Sequence, residues 1–362
     1  MRKFFSVALM FSLVVSATGI GANAQAASQE AKSVSAAGAA ADKPAATRSA
    51  ATANDELIAL LPASDLIAVL DVNRAFNELL PKLATITTGG LDKLAKAVQE
   101  FTQKTGLDPA KIQNAVFGFS LNGTQGSGVI VIQGIDPDNQ QIDALMKVFG
   151  AEYKTADYKG KAIYNIASKV KAPEAGPLSV KTDEFALAAL GQQRVAFGDL
   201  SVVKQVVDIQ SGAAKGGVTQ AMTGALKETR ASALVRFALN IPENLRAEAA
   251  NQGDLFKSVA TVKLILGTFD VAGDFSLSLD AIIRTASQSD AAELENGLKG
   301  LVELIKGIFG GGSGDPATDF IGQLLDQLKI GSKLNDVSLS ITLPRSLMDQ
   351  LSKKAAPAEK KQ

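Results

Sequence analysis

A chain of 362 residues with 46% hydrophobic and 20% charged residues can bury a large core, in one large or two ordinary domains, which excludes global disorder. Basic and acidic residues balance at 37 each, so no long-range field gathers nucleic acid or anionic lipid. Histidine and cysteine are absent, which excludes disulfides, thiol chemistry, a lipid-modified cysteine, a Ser-His-Asp triad, and zinc, copper, haem or iron–sulfur sites of the usual kinds.

At the N-terminus, Arg2 and Lys3 precede an apolar run from Phe4 to Ile20, and Ala22-Asn23-Ala24 and Ala24-Gln25-Ala26 supply small-residue cleavage signals. This layout predicts a secretory signal peptide over 1–26, cut after Ala26 with Ala24 as the alternative, and a periplasmic or extracellular destination. The apolar run is short for a membrane anchor, which needs about 20 residues. No later segment reads as a transmembrane span. Cleavage removes two basic residues and no acidic one, leaving 35 against 37 and a net charge of −2. Residues 27–54, rich in alanine and serine, read as a disordered spacer, and 353–362 as a solvated tail.

Between these ends, strands and helices alternate. A strand is predicted over 65–72, an apolar-periodic segment over 74–83, and a helix over 91–105 whose Leu91, Leu94, Ala95, Val98 and Phe101 share a face. Strands over 116–121 and 129–133 flank a turn at 122–126, and Asp136-Pro137-Asp138-Asn139 caps a helix over 140–149. Two further hairpins follow, over 152–158 with 161–166 and over 185–190 with 194–198. Asp199 then reads as the N-cap of a helix over 200–209.

The second half repeats this order. Strand 233–239 stands for the first strand, and 241–250 for the first helical segment. Strands 262–271 and 274–284 stand for the hairpin, and helix 293–309 for the helix after it. SLSITLPRSLMDQL then rhymes with VAFGDLSVVKQV, and residues 310–334 have no clear counterpart. The pattern predicts a duplicated β-α-β-β-α-β-like unit, offset by roughly 150–170 residues, with halves at 55–225 and 226–352. The expected class is α+β: mostly antiparallel sheets with helices packed on one face. Alternation in 275–279 and 337–343 sets serine and threonine on one side of the strands. That side reads as an ordinary solvent face or as a ligand- or partner-contacting one.

No string of residues amounts to a catalytic, cofactor or metal site. Ser201-x-x-Lys204 and Lys104-Thr105-Gly106 match elements of the penicillin-recognising serine enzymes, but in reversed order and without S-D-N between them. Asp136-Pro137-Asp138 opens like a calcium loop but has Gln141 where glycine is required and Lys147 at the twelfth position. Gly310–Gly314 lacks the Lys-Ser/Thr pair of a phosphate loop. Asn122-Gly123-Thr124 is a formal sequon that reads first as a turn. Asp71, Asp270 and Asp280 lie on or beside predicted strands, and pairing any two as an acid–base couple requires distances a sequence does not supply. The stripe of Leu294, Leu298, Leu301, Val302, Ile305, Ile308 and Phe309 reads as a core-packing helix face, with a membrane-surface helix as the alternative.

The signal peptide, LLPASDLIAVLDV, the paired hairpins and GQQRVAFGDLSVVKQVVD resemble a broad group of uncharacterised exported bacterial proteins with a duplicated α+β unit. The resemblance covers about 55–345 and implies no activity, cofactor or site residue. The expectation is an exported, non-catalytic protein that binds a protein or envelope component. A carrier of lipid or a small apolar ligand is the alternative, and a Ser-Lys or carboxylate hydrolase a remote third.

Overall fold

The computed structural model describes residues 50–84, 90–122, 125–148, 152–167, 184–251, 254–309 and 322–347. The expected signal peptide, the spacer up to residue 49, Gly310–Gly314 and the 353–362 tail lie outside the described residues.

Twelve strands form one sheet: β1 Leu66–Asp71, β2 Asn114–Asn122, β3 Gln125–Gln133, β4 Tyr153–Tyr158, β5 Lys161–Ala167, β6 Glu184–Gly191, β7 Arg194–Asp199, β8 Val235–Asn240, β9 Leu264–Val271, β10 Leu277–Arg284, β11 Lys329–Lys333 and β12 Asp336–Leu343. Their order is β11-β12-β10-β9-β8-β1-β2-β3-β7-β6-β5-β4, and the pairings are antiparallel. The halves meet where β1 pairs with β8, from Leu66 opposite Leu239 to Leu70 opposite Val235. Outward from that seam one half runs β1, β2, β3, β7, β6 and the other β8, β9, β10, β12, β11, the same connectivity twice. β5 and β4 extend the first half beyond it. The two halves therefore share a single sheet, a point the repeat pattern left open, because β1 and β8 are apolar edges that bury each other.

The helices are α1 Ala50–Ile58, α2 over 72–84 (with a π turn at Ala75–Leu79), α3 Gly90–Thr105, α4 Asn139–Val148, α5 Leu200–Gln210, α6 Gln220–Glu228, α7 Glu243–Ala250, α8 Asp254–Ala260 and α9 Gln288–Phe309. They cover both faces, not one. On the first face Val69, Val116, Val131, Ala196, Ala188 and Ile163 form a transverse row in register. It is roofed by Leu57 and Ile58 of α1, Val202, Val203, Val206 and Val207 of α5, and Met222, Ala225 and Leu226 of α6. On the second face Ile142 and Met146 of α4 cover Tyr164, Leu187 and Val195, and Ala291 and Leu294 of α9 cover Val337 with Ile265 and Ile283 beside it. Strands such as Ala186-Leu187-Ala188 are buried on both sides, so a one-sided cover would leave an apolar face wet. The α5 valines are weak helix formers, and burial of about 1.5–3 kcal/mol per side chain overrides that preference.

Three elements depart from the sequence reading. α1 begins at Ala50, inside the stretch read as spacer, and its Leu57 is fully buried. α6 spans the expected boundary between 225 and 226; the Thr219 hydroxyl caps it by accepting from the Met222 amide at 3.3 Å. β11 lies within 310–334 and occupies the place of β6.

Candidate functional site

The Ser-Lys elements do not converge. Ser201 is exposed in the first turn of α5 and Lys204 sits 5.6 Å from the Tyr158 ring, on the first face. Lys104 lies on α3, paired with Glu100 at 3.8 Å, and lines an open depression of about 710 Å³ with Gln140, Asp143 and Lys147 of α4, on the second face. The sheet stands between them. Asp138 and Gln141 exchange hydrogen bonds, the Asp138 carboxylate accepting from the Gln141 amide at 2.8 Å and the Gln141 side chain from the Asp138 amide at 3.1 Å. This is a helix cap. No group of three acidic side chains is placed to hold a metal among the described residues.

Asp199 does not cap α5 as expected. Its side chain makes no cap bond there; instead Oδ2 accepts from the Gly128 amide at 2.7 Å. The β3–β7 ladder ends at the pair of Val129 with Gly198, so the carboxylate takes it over one step further along β3. A Cβ at Gly198 would lie 2.2 Å from the Gly128 carbonyl oxygen, so the two strands approach too closely for any other residue. Burial pushes the Asp199 carboxyl up, and the Gly128 amide offsets part of that.

Of the three carboxylates singled out, two meet. Asp71 caps α2, accepting from the Arg74 amide at 2.9 Å. Asp270 and Asp280 lie on neighbouring strands of the first face, 3.2 Å and 3.9 Å from one Arg230 guanidinium nitrogen. Asp270 Oδ1 also accepts from Arg74 Nη1 at 2.6 Å and from the Val271 amide at 2.9 Å. Two arginines thus compensate this pair, which is the opposite of an acid–base couple left to exchange a proton.

These residues belong to a larger arrangement. Strand register sets Lys329, Ser340, Asp280, Thr268 and Arg236 in one row across β11, β12, β10, β9 and β8. The Ser340 hydroxyl donates to Asp280 at 2.7 Å. Burial pushes the Arg236 guanidinium down, opposed by Asp55 and Asp71. A parallel row holds Asp270, Ser278 and Thr342. A third holds Arg284 and Asp336, where Arg284 grips Asp336 through two bonds of 2.9 Å and Glu228 of α6 through bonds of 3.2 and 2.8 Å. Both carboxylates push the Arg284 guanidinium further up. The second half therefore turns one apolar side to α7, α8 and α9; on its other side Ala238, Leu266 and Ile282 pack into the core under α6, and the hydroxyls and charges lie beyond the edge of that helix. Ser338 and Thr342 are exposed there, and Ser278 and Ser340 half-buried. Alternation in 337–343 foretold the hydroxyls, but Arg74 and Arg230 come from a helix end and a loop that no strand pattern places beside them.

On the second face, Leu301, Leu304 and Ile308 of α9 are 40%, 59% and 63% exposed, while Leu294 of the same helix is buried. Of the stripe expected to pack, Leu294 is thus buried, Leu298, Val302 and Ile305 are half-buried, and Leu301 and Ile308 are exposed. No described helix is long and apolar enough to cross a membrane.

No protein-family model matches the chain, and no curated protein matches it. Two crystal forms of the Treponema protein TP0453 are similar in outline. Form I shows 7% identity and a TM-score of 0.41, over 83% of this chain and 97% of that one. Form III shows 8% identity and a TM-score of 0.43, over 82% and 97%. Identities and scores this low say nothing about activity. The likeness to exported bacterial proteins stays one of pattern.

Proposed function

We propose that the chain is an exported, non-catalytic binding protein of the cell envelope, and that the outward polar face of β9, β10 and β12 receives its protein or envelope partner. The observation that carries this reading is the registered set of rows, in which hydroxyls and charges lie together on the sheet beyond the edge of α6. The N-terminal layout of basic residues, apolar run and small-residue cleavage signals supports export. A wet, hydrogen-bonding surface of this kind suits a polar partner better than an apolar ligand. The test is site-specific photo-cross-linking in the producing cell. A cross-linker at Ser338 should trap a discrete product, and one at Ser201 on α5 should not. Equal trapping at both positions would reject the reading.

The exposed Leu301, Leu304 and Ile308 favour a second reading, carriage of a lipid or small apolar ligand. Native mass spectrometry of protein from its own envelope fraction separates the two. A discrete added mass that disappears on denaturation supports the carrier; a clean mass after incubation with envelope lipid extract rejects it.

A further inference from the structure

The two edges of the sheet are unlike. β11 carries a lysine at each end, Lys329 and Lys333, and its Ser332 hydroxyl is tied to Glu295 of α9. Edge lysines and a covering helix are both ways that sheets avoid pairing with other chains, and β4 shares the first of them through Lys154. β4, at the other edge, reads Tyr153-Lys154-Thr155-Ala156-Asp157-Tyr158, with its four middle residues exposed. It has no proline or bulge, and among the described residues its strand partner is β5 alone.

Which backbone groups β4 turns outward follows from its turn. Lys159 and Gly160 both have positive φ, 53° and 73°, the signature of a two-residue hairpin turn. Such a turn makes its flanking residues, Tyr158 and Lys161, a hydrogen-bonded pair. Alternation then pairs Ala156 with Ile163 and Lys154 with Asn165 by hydrogen bonds. The N–H and C=O groups of Tyr153, Thr155 and Asp157 are left pointing away from the sheet.

We propose that β4 pairs antiparallel with β4 of a second copy, about a two-fold axis through Thr155, joining the two sheets edge to edge. A two-fold antiparallel pair keeps each face continuous only when the axis is perpendicular to the sheet. Residues opposite one another must then come from the same face. With Thr155 on the axis, Thr155 faces its own copy and Tyr153 faces Asp157 in both directions, so every outward backbone group of the strand is used. Centring on Asp157 would oppose two carboxylates, and centring on Ala156 would leave Tyr153 against the turn. In the chosen register Lys154 faces Ala156 and lies diagonal to Tyr158 and to Lys154 of the second copy, so no two like charges stand directly opposite one another. Self-complementarity of this kind is what an isologous interface requires.

The absence of cysteine supplies a clean test. In the full chain without its first 26 residues, Thr155→Cys should form a disulfide-linked dimer on mild oxidation, because a hydrogen-bonded pair sets Cα atoms about 5.5 Å apart. Asp157→Cys should not, since the two copies of residue 157 would lie roughly 13 Å apart along the strands. Sedimentation of the unmodified chain should show a dimer. Thr155→Pro, which removes an outward N–H without touching the β5 ladder, should make it monomeric with its circular dichroism unchanged. Thr155→Lys, which sets two ammonium groups face to face, gives the same readout should the proline variant fail to fold. A monomer at all concentrations, or efficient cross-linking through position 157 and not 155, would overturn the proposal.

Discussion

Arg74, on the helix that leaves β1, reaches across the seam to Asp270 on β9 and donates from Nη1 at 2.6 Å. The same guanidinium donates to the carbonyl oxygens of Ser232 at 2.7 Å and Val271 at 2.9 Å. One first-half side chain thus ties down three groups of the second half. Asp270 keeps only 14% of its side-chain exposure and Arg74 21%, so removing either leaves the other's charge poorly hydrated. Arg74→Ala or Asp270→Asn should each cost about 2–3 kcal/mol in urea unfolding. The double variant should cost clearly less than the sum, because the two share one interaction.

Asp199 makes stability depend on pH in an unusual direction for a carboxylate. Burial raises its folded pKa above the unfolded value. Its favourable contribution is therefore complete below the unfolded pKa, near 3.9, and fades as pH rises through the folded one. Relative to Asp199→Asn, whose amide oxygen still accepts from Gly128, the parent chain should lose stability as pH rises from 4 to 7. Parallel unfolding free energies across that range would show that Asp199 does not titrate abnormally.

Leu334, at the tip between β11 and β12, combines a φ of 54° with 66% exposure. An L residue with a bulky side chain is strained there and gains nothing from burial. Leu334→Gly should stabilise the chain by about 1 kcal/mol, raising Tm by about 2 °C, and Leu334→Ala should not.

Much of this fold was legible in the sequence. The alternation of β10 and β12, the hairpin turns and the repeated order of elements all follow from periods of two and 3.6 residues. What was not legible depends on neighbours distant in the chain. α1 is short and alanine-rich, and becomes a core element only because Leu57 and Ile58 meet the strands of the first face. α6 carries Gly224 within only nine residues, and its Thr219 cap was the one local signal of it. Asp199 reads as a helix cap by its position, but the early end of the β3–β7 ladder gives it a partner on β3. The candidate site was half visible. Serines and threonines on one strand face were plain, whereas the approach of Arg74, Arg230 and Arg284 to Asp270, Asp280 and Asp336 exists only once the sheet is assembled.

The polar face as a docking surface is tested most directly by Ser278→Arg with Thr342→Arg. These two residues are paired across β10 and β12, and both changes point outward. Quantitative co-purification from the envelope fraction should lose at least about 90% of the partner trapped through Ser338, roughly 1.4 kcal/mol or more of binding, with Tm unchanged. Full retention of that partner by a folded double variant would contradict the account.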